Sequence, residues 1–393
     1  MTRLRLLTAG ESHGRGLVGI IEGIPANLSI SAEYINQQLV RRQKGYGRGG
    51  RMKIESDKVE IISGVRWGKT LGSPVALYIE NRDWQNWQKG MSVLEEDAGS
   101  IEPVVRPRPG HADLAGVIKY AQQDIRNILE RSSARETAMR VALGAVVRRM
   151  LDEFGISIGS FVTSVGKEVF QVDTSVLKGE ELLALHSQAE GSEVRCPSTD
   201  VTSKMKEEID RAKEGGYSLG GRFVVFATGV PPGLGSHIQW DRRLDGRVAQ
   251  ALMSIQAIKA VSIGEGFEMA SKRGSEVMDE MVVEGSFSLK NIKRKTNYAG
   301  GIEGGITNGM PVVVRVSMKP IPTQRKPLRS VDLTTGSYVE AAYERSDICA
   351  VAAASVVAEA MLALVIGDAL LEKFGGDSIE ETKRNLESFL KSL

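Results

Sequence analysis

Ile348-Cys349-Ala350-Val351-Ala352-Ala353-Ala354-Ser355-Val356-Val357-Ala358-Glu359-Ala360-Met361-Leu362-Ala363-Leu364-Val365-Ile366-Gly367 is almost wholly apolar. Its length approaches the roughly 20 residues with which a helix crosses a bilayer. Against a membrane span, Glu359 sits in its middle, Asp347 and Asp368 flank it, and alanine dilutes its hydrophobicity. The stretch reads instead as a helix buried in a protein core or at a subunit interface. The expected helix runs from Asp347 to Phe374, and an exposed helix from Ser378 to Leu393 closes the chain.

Outward from that helix, strands are predicted at Leu4–Ala9, Val18–Glu22, Val59–Val65, Val75–Glu80, Ile156–Val165, Phe223–Val230 and Pro311–Met318. Helices are expected from Ser31 to Arg42, Asp113 to Leu129, Glu136 to Phe154, Ser198 to Lys213 and Asp241 to Lys259. Ser31 and Ser198 are the caps, and Gly155 and Gly215-Gly216 the stops. Residues 171–197 read as polar and irregular, and 275–300 as a loop-rich insertion. Neither a βαβ series nor a fixed period is present. Strands at hairpin-like spacing with a few long helices make an α+β pattern. Without a Pro/Ser-rich linker, residues 1–393 are expected to form a single large domain, with 375–393 a peripheral C-terminal helix.

A net charge of +2 creates no global field for nucleic acid or a membrane surface, so any basic site must be local. Cys196 and Cys349 lie far apart, make no metal or redox spacing, and point to a reducing cytosol. Met1-Thr2-Arg3-Leu4-Arg5-Leu6 is too short and too charged for a signal peptide, and a cytoplasmic location is expected.

The chemistry concentrates around two of the four histidines. His13 lies in Gly10-Glu11-Ser12-His13-Gly14-Arg15-Gly16, and His111 in Arg106-Pro107-Arg108-Pro109-Gly110-His111-Ala112-Asp113. Glycine admits a ligand close to the backbone. Arginine recognises phosphate and carboxylate through a planar fork. Histidine suits proton transfer near neutral pH. A basic glycine loop, Arg41 to Met52, offers a phosphate cradle, or an RNA-binding patch of Arg-Gly type. Glu130-Arg131-Ser132-Ser133-Ala134-Arg135-Glu136-Thr137 can cap a helix and present N–H groups to an anion, or be a plain cap. Lys319-Pro320-Ile321-Pro322-Thr323 and Arg345-Ser346-Asp347 are polar turns beside apolar elements. His186 and His237 lack such surroundings and read as ordinary surface or turn residues.

Three short matches compete. Gly10-Glu11-Ser12-His13-Gly14 fits G-x-S-x-G, which would make Ser12 an esterase nucleophile if a helix followed. Gly45 to Gly50 fits G-x-G-x-x-G but follows a helix, and Gly64 to Thr70 falls one residue short of a P-loop. No pattern of metal ligands is present.

Taken in order, Gly10–Gly14, Gly47–Met52, Arg108–Asp113, Arg131–Thr137 and Arg345–Asp347 resemble the chorismate synthase family, from near the N-terminus to about residue 370. Asn27 stands where a glycine would be expected after Ile24-Pro25-Ala26, and 275–300 is longer than in compact members. The resemblance implies a lyase that converts 5-enolpyruvylshikimate 3-phosphate to chorismate and phosphate, a 1,4-elimination with reduced FMN and no net redox change. It implies a β-α-β sandwich with long helices between antiparallel sheets, and a homotetramer. His111 is then the acid for the leaving phosphate, His13 the residue that sets protonation of the flavin near N1, and Asp347 the relay near N5. Arg42, Arg48, Arg51, Arg108 and Arg135 form the anion cradle, with Arg42 and Arg48 also candidates for NADPH as reductant. Ser133, Ala134, Arg135, Gln256, Ala257, Gly304, Lys319, Pro320, Ile321, Pro322, Thr323 and Arg345 form the flavin set, and no metal is implied. The partner expected is a small phosphorylated molecule, with neither nucleic acid nor membrane.

Overall fold

Leu17, Gly19 and Ile21 are buried while Val18, Ile20 and Glu22 are exposed, the period of a strand with one covered face. This strand, β2 (Gly16–Glu22), sits within a sheet with β1 (Arg5–Ala9), β3 (Val59–Ser63) and β4 (Val75–Glu80). The order is β1-β2-β4-β3, antiparallel throughout. A second antiparallel sheet holds β5 (Ser157–Val165), β6 (Glu168–Val169), β7 (Gly221–Thr228), β8 (Ile258–Ile263) and β9 (Val312–Met318), in the order β8-β9-β7-β5-β6. The computed structural model describes residues 3–49, 56–343 and 346–393.

The α-helices longer than one turn are α1 (Ala32–Gln43), α2 (Asp113–Tyr120), α3 (Arg126–Ser132), α4 (Thr137–Asp152), α5 (Gly179–Glu190), α6 (Thr199–Gly215), α7 (Leu244–Met253), α8 (Val351–Phe374) and α9 (Ile379–Lys391). Helix α4 packs on β2 and β4 of the first sheet, α8 packs on β5 and β7 of the second, and α4 and α8 pack on each other. Gly144 sets that crossing. A Cβ there would stand 2.5 Å from the Cβ of Ala360 and 2.8 Å from its Cα. The fold is therefore mixed α+β.

Helix α8 is long and apolar enough to cross a membrane, yet 89% of its most apolar stretch is buried inside the protein. That is the expected core placement. Its glutamate is accommodated by three guanidinium groups. Glu359 receives hydrogen bonds from Arg41 Nη1 at 2.8 Å, Arg148 Nη1 at 2.6 Å and Arg195 Nη2 at 2.9 Å, and from the Ser160 hydroxyl at 2.6 Å. Burial alone would raise its pKa, but the arginines hold it well below the usual carboxylate range. His186 belongs to this cluster. Its Nδ1 lies 3.0 Å from the Ser160 carbonyl and 3.9 Å from Glu359, so it is not the surface residue expected. His237 is exposed, as expected.

Several elements differ from expectation for local reasons. The helix expected over Asp113–Leu129 is two, because Ala121 turns left-handed at φ 51°. The reversal brings Ile125, just before α3, and Leu129 of α3 against Val117 of α2. Residues 171–197 contain α5, whose Leu182 and Ala189 pack on Phe161 and Phe226 beneath a polar outer face. Helix α7 stops at Met253, Ala257 takes φ 64°, and Ile258 and Lys259 start β8. Helix α8 begins at Val351, leaving Asp347 on the loop before it. Within 275–300 a ribbon pairs Met281–Val283 with Ile292–Arg294. Helix α9 buries Ile379, Thr382 and Leu386, so one face is docked and only the rest is exposed.

Two of the competing motifs lose their context. Strand β2, not a helix, follows Ser12. Gly64–Thr70 is a tight hairpin, Val65–Arg66 against Lys69–Thr70, with Trp67 at φ 51° and Gly68 at φ 76°.

Candidate active site

The His13 loop joins β1 to β2, and Glu130 near the end of α3 grips it. The His13 backbone N–H donates to Glu130 Oε2 at 2.7 Å, and His13 Nδ1 meets Oε1 at 2.8 Å. The Ser12 N–H donates to the Glu130 carbonyl at 3.1 Å. The imidazole packs on Trp87, with ring centroids 4.3 Å apart. Burial would raise the pKa of Glu130, but His13 and Arg126 hold it below the ordinary value. Asn81 ties the same loop to the arginines. Its Nδ2 donates to the Gly14 carbonyl at 2.8 Å, and its Oδ1 accepts from Arg135 Nε at 3.0 Å and Nη2 at 2.9 Å.

His111 follows two prolines, and Pro107 is pinned through its carbonyl by the Ser330 hydroxyl at 2.5 Å. Asp113, at the start of α2, gathers the segment. Its Oδ1 meets His111 Nδ1 at 2.5 Å and accepts from Arg108 Nη2 at 3.0 Å. Its Oδ2 accepts from Arg108 Nε at 2.8 Å and from the Arg108 backbone N–H at 3.0 Å. Burial opposes ionisation of Asp113, yet His111 and Arg108 hold its pKa far below normal. Arg108 Nη1 donates onward to Thr323 Oγ1 at 3.1 Å. Both histidines are thus held at Nδ1 by a buried carboxylate, leaving Nε2 on the opposite edge of each ring.

Between them lies the arginine group. Arg135 Nη1 donates to Asp57 Oδ1 at 2.5 Å. Arg42 Nε donates to Thr137 Oγ1 at 3.0 Å, its Nη2 to the Ala134 carbonyl at 2.9 Å, and its Nη1 lies 3.7 Å from Asp57. Burial, with Arg48 and Arg135 nearby, lowers the Arg42 pKa to about 10 despite Asp57. Arg48 pairs with Asp347 at 3.2 Å, and the Gly49 N–H donates to Asp347 at 2.6 Å. Ser346 donates to the Thr323 carbonyl at 3.2 Å, which closes the chain of contacts to Arg108 and His111. Arg51 and Arg345 lie outside the described residues.

The expected flavin set largely joins this belt. Ser133 Oγ caps the Arg135 N–H at 3.3 Å. Lys319 Nζ donates to the Gly110 carbonyl at 2.5 Å, and its N–H to the Ala257 carbonyl at 2.9 Å. The Ile321 carbonyl, between Pro320 and Pro322, accepts from Ser218 at 2.6 Å. Gln256 Nε2 donates to Glu136 at 2.6 Å, while its Oε1 is buried with no hydrogen-bond partner among the described residues. An orphaned buried acceptor costs roughly 1–3 kcal/mol and suits a ligand N–H such as a flavin ring supplies. Gly304 stands apart, at the tip of the Ile302–Glu303/Ile306–Thr307 ribbon beside the start of α7.

Sequence reading missed the partners. Glu130 and Asp113 stand inside the quoted motifs without a role, and Asp57, Asn81 and Trp87 carry no local signal at all. Each is an ordinary polar or aromatic residue until the fold brings the arginines and histidines to it.

Two imidazoles, each held by a carboxylate, and several buried guanidiniums are the kinds of group that proton transfer beside an anion requires. The chorismate synthase family model matches residues 4–371. The chain is 62% identical over 390 residues to the chorismate synthase of Aquifex aeolicus (strain VF5), covering 98% of this chain and 97% of that protein. It is 56% identical over 390 residues to that of Desulforudis audaxviator (strain MP104C), covering 99% and 98%. A crystal structure of chorismate synthase superposes with a TM-score of 0.80 at 51% identity, covering 99% of this chain and 97% of the other. The chain belongs to the chorismate synthase family.

Proposed function

We propose that this protein converts 5-enolpyruvylshikimate 3-phosphate to chorismate and phosphate, with reduced FMN bound in the belt described above. A proton leaves one ring carbon and phosphate leaves another, so the protein must stabilise an anion and move a proton. The observation that carries the reading is the run of contacts from the Gly14 carbonyl of the His13 loop through Asn81, Arg135, Asp57 and Arg42, with Arg48–Asp347 and Thr323–Arg108–His111 beside it. Five distant segments meet there.

His111 protonates the departing phosphate, with Asp113 fixing its ring. Arg48 and the neighbouring guanidiniums stabilise the developing charge. Arg42, Arg108 and Arg135 are buried and already engaged by protein acceptors, so they supply positive potential and order more than open hydrogen-bonding arms. His13, with Nε2 as its free edge, would set the protonation of the reduced flavin near N1, and Asp347 would relay the proton taken from substrate carbon. Gln256, with its open acceptor, and the Ser133–Arg135 and Lys319–Thr323 turns hold the flavin. Reduced flavin, when bound, supplies the electron-rich partner that breaking an unactivated C–H bond requires.

The layers of α4 and α8 between the two sheets support a β-α-β sandwich working as one catalytic domain over residues 1–393. A cytoplasmic homotetramer, with NADPH as an external or internal source of electrons, completes the reading. An anaerobic assay with chemically reduced FMN tests it: phosphate and chorismate should appear together, and oxidised FMN alone should give neither. The same assay in air with NADPH and oxidised FMN reads the reductase question. No turnover with reduced FMN would overturn the proposal.

A further inference from the structure

The carboxylate of Glu130 is 1% exposed, and both of its oxygens are committed to one residue. Oε2 accepts the His13 backbone N–H, and Oε1 meets the His13 ring at Nδ1. An ionised carboxylate only accepts, so Nδ1 must carry the hydrogen. The hydrogen-bonding edge left to the imidazole is Nε2. Two further contacts restrict the ring. Trp87 packs on it with an interplanar angle of 32°, and Arg126 lies over the same indole at 5.0 Å while its Nη1 sits 3.5 Å from Glu130 Oε1.

We infer that Glu130 is a positioning residue for the reaction: it locks His13 in the Nδ1–H tautomer and aims Nε2 at the bound ligand. The inference rests on the reading that His13 works in the elimination. A glutamine makes the argument sharp, because it has one acceptor where two are needed. In Glu130→Gln the amide oxygen can serve the His13 backbone N–H only if the NH2 group faces Nδ1, which reverses the tautomer. Serving Nδ1–H instead turns the NH2 group against the backbone donor. Either way the native arrangement is lost, with almost no change in side-chain volume.

The test is nitrogen NMR of the full chain with labelled histidine, His13 assigned by its absence in His13→Ala. Wild type should show neutral His13 protonated at Nδ1, and Glu130→Gln should not. In turnover with reduced FMN, Glu130→Gln should lower kcat by about 10- to 100-fold, the range found when a group orienting a functional histidine is lost, with KM little changed. Glu130→Asp, which keeps an ionised acceptor, should recover at least about tenfold of that. In a His13→Ala background the Glu130→Gln change should cost nothing more. A wild-type His13 protonated at Nε2, or a Glu130→Gln loss that persists without His13, overturns the inference. If wild type fails to turn over substrate, the functional reading falls, whereas the tautomer is still read directly. Should Glu130→Gln not fold, the wild-type tautomer and the Glu130→Asp kinetics still decide.

Discussion

Arg108 donates three hydrogen bonds to Asp113 and one to Thr323, and sits against His111 at 3.0 Å. Lysine cannot reproduce that fork. Arg108→Lys should therefore cost about 10- to 100-fold in kcat through a misplaced His111, measured in the reduced-FMN assay, and wild-type kinetics in that variant would refute the arrangement. His111→Ala should lose about 100-fold or more if it is the acid, since general acids contribute roughly 10²–10⁴-fold. The two cysteines make an independent check. Burial pushes the Cys349 thiol up to about 11 and raises that of Cys196. Neither should react with a thiol reagent in the folded protein at pH 7, and both should once denaturant is added. At this scale the histidine and arginine motifs were readable, because glycine and proline around them mark places where backbone meets ligand. Their carboxylate partners were not, because nothing in a lone Asp57 or Glu130 says which cation will arrive.

Along the elements, caps and stops read well. Ser31 and Ser198 accept from N–H groups of α1 and α6, and Gly155 and Gly216 take the left-handed conformations that end or follow their helices. What failed was continuity. A polar outer face hid α5, and Ala121, with no glycine to announce it, broke α2 from α3. That break matters to the site, since α2 begins at Asp113 and α3 carries Glu130. The α4–α8 crossing depends on Gly144 having no side chain. Gly144→Val should overpack it, with a loss of about 1–3 kcal/mol or more from backbone displacement. The midpoint of urea unfolding reads this, and an unchanged midpoint would mean that the two helices do not pack as described.

Across the whole molecule, one buried charge cluster links α1, α4, α5, β5 and α8. Glu359 and Glu190 share Arg41 and Arg195, and Arg148 completes the set. Burial raises the cost of ionising Glu190, but Arg41 and Arg195 lower its pKa to about 2. Glu359 is depressed in the same sense. Carboxyls depressed on folding lend stability that is complete above their unfolded pKa and vanishes as pH falls through the folded one. The melting temperature should therefore fall between about pH 4.5 and 2. Glu359→Ala leaves buried Arg195 and half-buried Arg41 and Arg148 short of a partner and should cost about 3–5 kcal/mol, with a shallower pH dependence over that window. Sequence alone determined the α+β class, the core role of the apolar helix and which histidines and arginines to look at, because period, caps and side-chain chemistry are local properties. Only the tertiary structure decided that Glu359 could be buried, that His13 and His111 are held at Nδ1 by carboxylates, and which arginines are already engaged. Those outcomes depend on charges hundreds of residues apart meeting out of water, where pairing and burial must be settled together.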